Sequence, residues 1–104
     1  MEPPNEQILI TDLSQELERK YTYGTANRYL FAFKQYIKRI SYQAVFDNSY
    51  QDMYTYFSKL RKEGKNRDYI HTEFYGLFTA FEYICRNGYR HDNPLLGIHF
   101  KDYR

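Results

Sequence analysis

The chain has no tryptophan, one cysteine, three prolines and five glycines in 104 residues. The lone thiol, Cys85, excludes an internal disulfide and leaves the compartment open. So few glycines and prolines remove the usual interruptions to long helices. No apolar run approaches the roughly 18 residues that mark a membrane helix, so no membrane partner is expected. The opening Met1-Glu2-Pro3-Pro4-Asn5-Glu6 lacks the basic and apolar regions of a secretory signal, and the cytoplasm is the default location. Net charge is only +2, which by itself argues neither for nor against nucleic acid.

What is abundant is aromatic. Thirteen Tyr and eight Phe bring aromatics to 20% within an apolar total of 42%, far from a disordered composition. The length reads as a single domain, with about 10–100 ordered. Such a domain buries roughly 65% of its unfolded surface, enough for one modest core but not for a deep substrate cleft as well. Tyrosine can bury its ring and leave its hydroxyl at a polar boundary, so most of these residues fit the edge of a helical core. The other use is a surface that touches a macromolecule.

Hydrophobic spacing predicts helices throughout. Residues 1–10 read as a frayed start. Thr11 or Asp12 caps a short helix to about Lys20, with Leu13 and Leu17 on one face, and Tyr21 to Gly24 reads as a loop. From Thr25, taken as the N-cap, to Ile40, a second helix places Ala26, Leu30, Phe33, Ile37 and Ile40 on one face. Tyr29 and Tyr36 lie on its border, and Arg28, Gln35 and Arg39 stand opposite. Residues 41–48 form a linker. A third helix, capped by Asp47, Asn48 or Ser49, runs to about Glu63 with Tyr50, Met53, Tyr54, Phe57 and Leu60 as its stripe, and Gly64 closes it. The longest helix, capped by Asn66, runs from about Arg67 to Asn87. Ile70, Phe74, Leu77, Phe78, Phe81, Ile84 and Cys85 share one arc, and Gly88 ends it. Asn93-Pro94 blocks simple continuation. Leu96, Ile98 and Phe100 are candidates to dock the last stretch on the bundle. No repeat, low-complexity tract or strand pair is visible. The expected fold is all-α, a compact bundle of four or five short helices.

Chemistry is sparse. His71, His91 and His99 lack metal-ligand spacing and Cys85 has no partner, so neither a metal nor a cofactor is expected. There is no phosphate-cradling glycine loop and no carboxylate pair placed for acid–base work. Tyr103 beside Arg104 lacks the cation cluster that would activate a nucleophile. The chain is therefore expected to hold no catalytic site and no small-molecule substrate. What remains is surface: outward cations on the helix from Thr25, a second group (Lys59, Arg61, Lys62, Lys65, Arg67), and the polar face His71, Thr72, Tyr75, Thr79. Cations position a protein on phosphates and short polar groups reach base edges, although solvated helix faces look the same in sequence.

The order of these pieces adds information. Gly24-Thr25-Ala26-Asn27-Arg28-Tyr29 opens one helix, and Leu60-Arg61-Lys62-Glu63-Gly64 ends another. Phe81-Glu82-Tyr83-Ile84-Cys85-Arg86-Asn87-Gly88 is followed by Asp92-Asn93-Pro94. Over about residues 10–100 this resembles the core-binding, SAM-like N-terminal domain of tyrosine recombinases and phage integrases. The stretch from Phe81 to Pro94 is the most diagnostic. The resemblance implies a domain that clamps duplex DNA near the crossover site, with two helices at the major groove. It places Thr25 and Arg28 on DNA from one helix, Arg67, His71, Thr72 and Tyr75 from the other, and Lys65 on a phosphate. It also implies a catalytic domain C-terminal to this chain and other recombinase protomers as partners. The chain departs from the family at Phe78-Thr79, where many members carry arginine, and in its low net charge. Two other readings stay open. One is a helical protein-interaction module with a Tyr-rich surface. The other is single-strand binding by tyrosines interleaved with cations.

Overall fold

A computed structural model of the chain describes residues 2–98. It contains five helices and, among the described residues, no strand: α1 Glu6–Lys20, α2 Tyr23–Arg39, α3 Ala44–Asp47, α4 Tyr50–Lys62 and α5 Arg67–Arg86. Helices α2 and α5 form the principal packing pair, and α1 lies against α2. The whole has a radius of gyration of 13.0 Å, the value expected for a compact domain of about 100 residues.

Local chemistry sets the boundaries. The first helix begins earlier than its sequence spacing predicted. Asn5 caps it, its side chain accepting from the Gln7 amide at 2.8 Å, and Leu9 extends the Leu13 and Leu17 stripe one turn backward into the core. Residues 6–10 of the expected frayed start are thus helical, because a buried leucine at i−4 holds the first turns down. The Tyr21–Gly24 loop is likewise shorter than expected. Thr22, not Thr25, is the α2 N-cap, its hydroxyl accepting from the Thr25 amide, and Tyr23 and Gly24 lie inside the helix. Ser49 caps α4 in a reciprocal capping box with Asp52. Asn66 caps α5 as anticipated, accepting from the Tyr69 amide at 2.8 Å. Gly64 and Gly88 take positive φ after α4 and α5. Each lets the next amide bond back to the helix, Lys65 to the Leu60 carbonyl and Tyr89 to that of Ile84.

The core joins Leu9, Leu13 and Leu17 of α1, Phe33 and Tyr36 of α2, Val45 of α3, Met53, Phe57 and Leu60 of α4, and the Ile70, Phe74, Leu77, Phe81 and Ile84 face of α5. The linker expected at residues 41–48 contributes a helical turn because Val45 is fully buried. The α4 stripe is rotated from its predicted position. Tyr50 and Tyr54 are exposed and stack on each other at 6.4 Å, while Tyr56 takes the buried place. Ile40, just past α2, is also exposed, and Tyr36, expected on the border, is buried beside Phe33. Phe78 and Cys85 are only partly buried, and burial pushes the Cys85 thiol pKa up.

Two polar locks close the bundle. Glu16 of α1 is buried and meets Arg19, Lys20 at 3.0 Å, and Arg86 of α5 at 2.8 Å. These cations, Arg86 foremost, hold its carboxyl down at about 2 despite burial. Past α5, Arg90 turns inward over the Phe81 ring, donates to the carbonyls of Val45 and Asn48 at 3.0 and 2.9 Å, and donates to the Asn48 side chain. Asn48 in turn donates to the Tyr36 hydroxyl. Asn93 donates to the Phe78 carbonyl and accepts from the Leu95 amide. The Phe81-to-Pro94 stretch therefore works as a clasp that folds the C-terminal segment onto α3, α4 and α5. Of the apolar residues expected to dock there, Ile98 is buried, Leu96 is exposed and its neighbour Leu95 is buried instead. Phe100 lies outside the described residues, as do His99, Tyr103 and Arg104.

Candidate nucleic-acid interface

The face between α2 and α5 exists because their backbones touch. Gly76 lies in mid-α5, and a Cβ there would meet the Ala32 Cβ at 2.9 Å and Tyr29 Cα at 3.0 Å. From this contact the N-terminal halves of the two helices form the walls of a groove open to solvent. Its shallow end, about 150 Å³, is lined by Thr25, Arg28, Tyr29, His71, Thr72 and Tyr75. Its wider end, about 590 Å³, is lined by Asn27, Arg28, Phe31, Asn66, Asp68, Tyr69, Thr72 and Glu73. Arg28 and Thr72 belong to both ends.

Five of the seven residues singled out from sequence thus share the shallow end: Thr25, Arg28, His71, Thr72 and Tyr75. His71 and Tyr75, one turn apart, pack edge to face at 4.7 Å. Arg28 is exposed, and Thr25 and Thr72 are half-buried. The other two flank the wider end without lining it. Lys65 places its ammonium 5.1 Å from the centre of the Tyr69 ring, and Arg67 opens α5 beside its cap. Phe31, Asp68, Tyr69 and Glu73 of the wider end, and Gly76 at the helix crossing, escaped the sequence reading. Gly76 left a trace, since a glycine inside an otherwise strong helix marks close packing. Phe31 and Glu73 left less, because an exposed phenylalanine and a buried glutamate both reverse the rule that assigns faces.

The small net charge conceals a partition. Between residues 23 and 67 lie nine of the fifteen Lys and Arg and only three of the thirteen Asp and Glu. Helix α2 carries Arg28, Lys34, Lys38 and Arg39 with no acid. Arg39 and Lys59 line one further pocket, which brings the basic C-terminal ends of α2 and α4 together. Arg39 also reaches the Tyr69 hydroxyl at 3.5 Å, next to the groove. Several of these cations sit in the last turns of α2 and α4, where they also meet the negative ends of the helix dipoles.

Burial shifts three groups of the groove upward, Glu73, Tyr29 and Tyr69. Glu73 is buried, which pushes its carboxyl pKa up, while Arg39, a hydrogen bond from Tyr69, and Lys65 pull it down. Burial raises the Tyr29 hydroxyl as well, with Tyr21 adding to the effect. Among the described residues no group of three or more His, Cys, Asp or Glu is placed to hold a metal ion, and no helix is long and apolar enough to cross a membrane. Comparison with protein-family models, with curated proteins and with solved structures gives no match to this chain.

Proposed function

We propose that this chain is the non-catalytic core-binding domain of a tyrosine recombinase or integrase. It grips duplex DNA beside the crossover site, while a C-terminal catalytic domain and neighbouring protomers complete the reaction. The observation that carries this is the convergence of Thr25, Arg28, His71, Thr72 and Tyr75 on one groove between two helix N-terminal halves. The α2–α5 crossing brings these residues from two separate helices onto one face. The basic stretch from residue 23 to 67 supports it, since phosphate contacts supply most sequence-independent affinity. Arg28 at the lip is placed for a phosphate, and Thr72 and His71 supply short donors and acceptors for base edges.

The test is a titration with a short random-sequence duplex at about 50 mM salt, followed by backbone amide shifts and repeated at higher salt. Shifts at 25–28 and 65–75 that fade with salt are expected, and Arg28→Glu and Arg67→Glu should each weaken them. A duplex titration that moves no amide in this groove at low salt overturns the proposal.

A second reading, a protein-docking module, draws on a different place. Tyr50 and Tyr54 stack in the open, Tyr50 lies close to Gly97, and Leu96 before it is 59% exposed. That surface predicts association that ignores salt and is lost in Tyr54→Ser, measured by light scattering.

A further inference from the structure

We propose that Phe31 is a base-reading residue for thymine: set at the apex of α2, its ring packs on the C5-methyl group that thymine presents in the major groove of a closed duplex. The inference rests on the duplex-DNA reading of this face and gives it a base preference.

The helical repeat fixes the position. Ala26, Ala32, Phe33 and Tyr36 are the buried residues of α2. At about 100° per residue, Phe31 lies within about 20° of the direction opposite their mean. Phe31 and Lys38, two turns further on, therefore crown the helix. Phe31 is 52% exposed, and among the described phenylalanines it alone is exposed. The ridge around it is polar. Asn27 stands one turn before it and Lys34 close to one turn after it, both exposed, and the helix carries no acid. Arg28 and Lys34 lie about 60° to either side of Phe31 around the helix axis. Helical side chains tilt toward the N-terminus, so the ring lies over the turn of Asn27 and Arg28. These three residues line the wider end of the groove together.

An apolar crown between two flanking cations matches the cross-section of a major groove. A helix with its side chains is about 10–12 Å across, and the groove is about 12 Å wide. A helix entering it sets its apex against base edges and its flanks toward the phosphate walls. Arg28 and Lys34 suit the phosphates. Of the four bases, thymine alone presents a methyl group on that edge. A donor or acceptor in its place would be stripped of water by the ring without being satisfied. Phe31 thus favours A·T pairs through one methyl contact, and the pair stays closed and stacked.

Deoxyuridine lacks only that methyl group. The test compares an alternating adenine–thymine duplex with the same duplex built with deoxyuridine, by fluorescence anisotropy at about 50 mM salt. Every pair of the alternating duplex carries a thymine, so every binding register brings a methyl group to the apex. Charge and hydrogen-bonding edges are the same in both. The thymine duplex is expected to bind about fourfold tighter, the worth of one methyl group removed from water. Phe31→Ala, which leaves the buried core untouched, should bind the two duplexes alike. Equal wild-type affinity for the two, or a preference that survives in Phe31→Ala, overturns the role of Phe31 and leaves duplex binding standing. Binding of neither duplex at low salt overturns the duplex reading and this inference with it.

Discussion

Replacing Gly76 by alanine sets two effects of opposite sign against each other. Alanine is favoured over glycine in a helix interior by about 1 kcal/mol, so at an open position the change would stabilise. Here the new methyl would lie 2.9 Å from the Ala32 Cβ, 3.0 Å from Tyr29 Cα and 3.2 Å from the Tyr29 carbonyl oxygen. All three belong to backbone or to a side chain with no rotamer to change, so α2 must move away from α5 as a body. Overpacking of this kind costs about 1–3 kcal/mol, and loosened contacts along the principal helix pair add to it. The net expectation is a loss of about 1–2 kcal/mol, or roughly 4–16 °C in Tm for a domain of this size. Thermal and urea unfolding followed by far-ultraviolet circular dichroism would measure it. Ala32→Gly in the same chain removes the closest contact and should recover part of the loss, giving a coupling of about 0.5 kcal/mol or more in a double-mutant cycle. A Gly76→Ala protein as stable as the parent, or more so, would show that the helix crossing is not limited by this glycine.

Other perturbations follow from named contacts. Glu16→Gln removes the anion shared by Arg19, Lys20 and Arg86. The carboxyl lies near 2 folded against 4.5 unfolded, so its stabilisation is complete above pH 4.5 and lost as pH falls toward 2. All three cations are about half or more exposed, so screening cuts the contribution to about 1–2 kcal/mol. Wild-type and variant Tm should differ at pH 7 and converge near pH 2. Arg90→Met keeps the bulk but leaves the Val45 and Asn48 carbonyls without their donor, and should cost about 2–4 kcal/mol in chemical denaturation. Arg28→Ala should lower the log–log salt slope of duplex affinity by about 1 while leaving Tm nearly unchanged. An unchanged slope would place Arg28 off the phosphates.

The sequence made the helices legible wherever apolar spacing was regular, most of all α5, whose Asn66 cap and Gly88 stop stand as expected. It misled where a single residue outweighed the pattern. Leu9 pulled the first helix back past the expected cap, and Thr22 competed with Thr25 for the start of α2. On α4, Tyr50, Tyr54 and Tyr56 look alike to a hydrophobicity pattern, and only the three-dimensional fit against Tyr36 and Phe57 chose Tyr56 for the core. The same limit applies to the groove. Individual polar residues were visible, but that Thr25 and Tyr75 line one pocket depends on where α2 crosses α5, and the crossing is set by Gly76 and Ala32. Arg90 was equally hidden, because a lone arginine in a loop looks like solvent-facing charge until its hydrogen-bond acceptors are seen.

The division of charge has a consequence for motion. With a net charge of only +2, helix α2 still gathers four cations and no acid, so the charge acts as a local patch more than as a monopole. Near a polyanion such a body feels a weak pull and a comparatively strong torque, so it turns before it is drawn in. Screening over about 8–10 Å at physiological salt is short against its 34 Å longest dimension. The alignment therefore operates only in the last stage of approach. It would raise the fraction of encounters that arrive correctly oriented more than it raises their number, and it would leave the protein only weakly attracted to polyanions that meet another face.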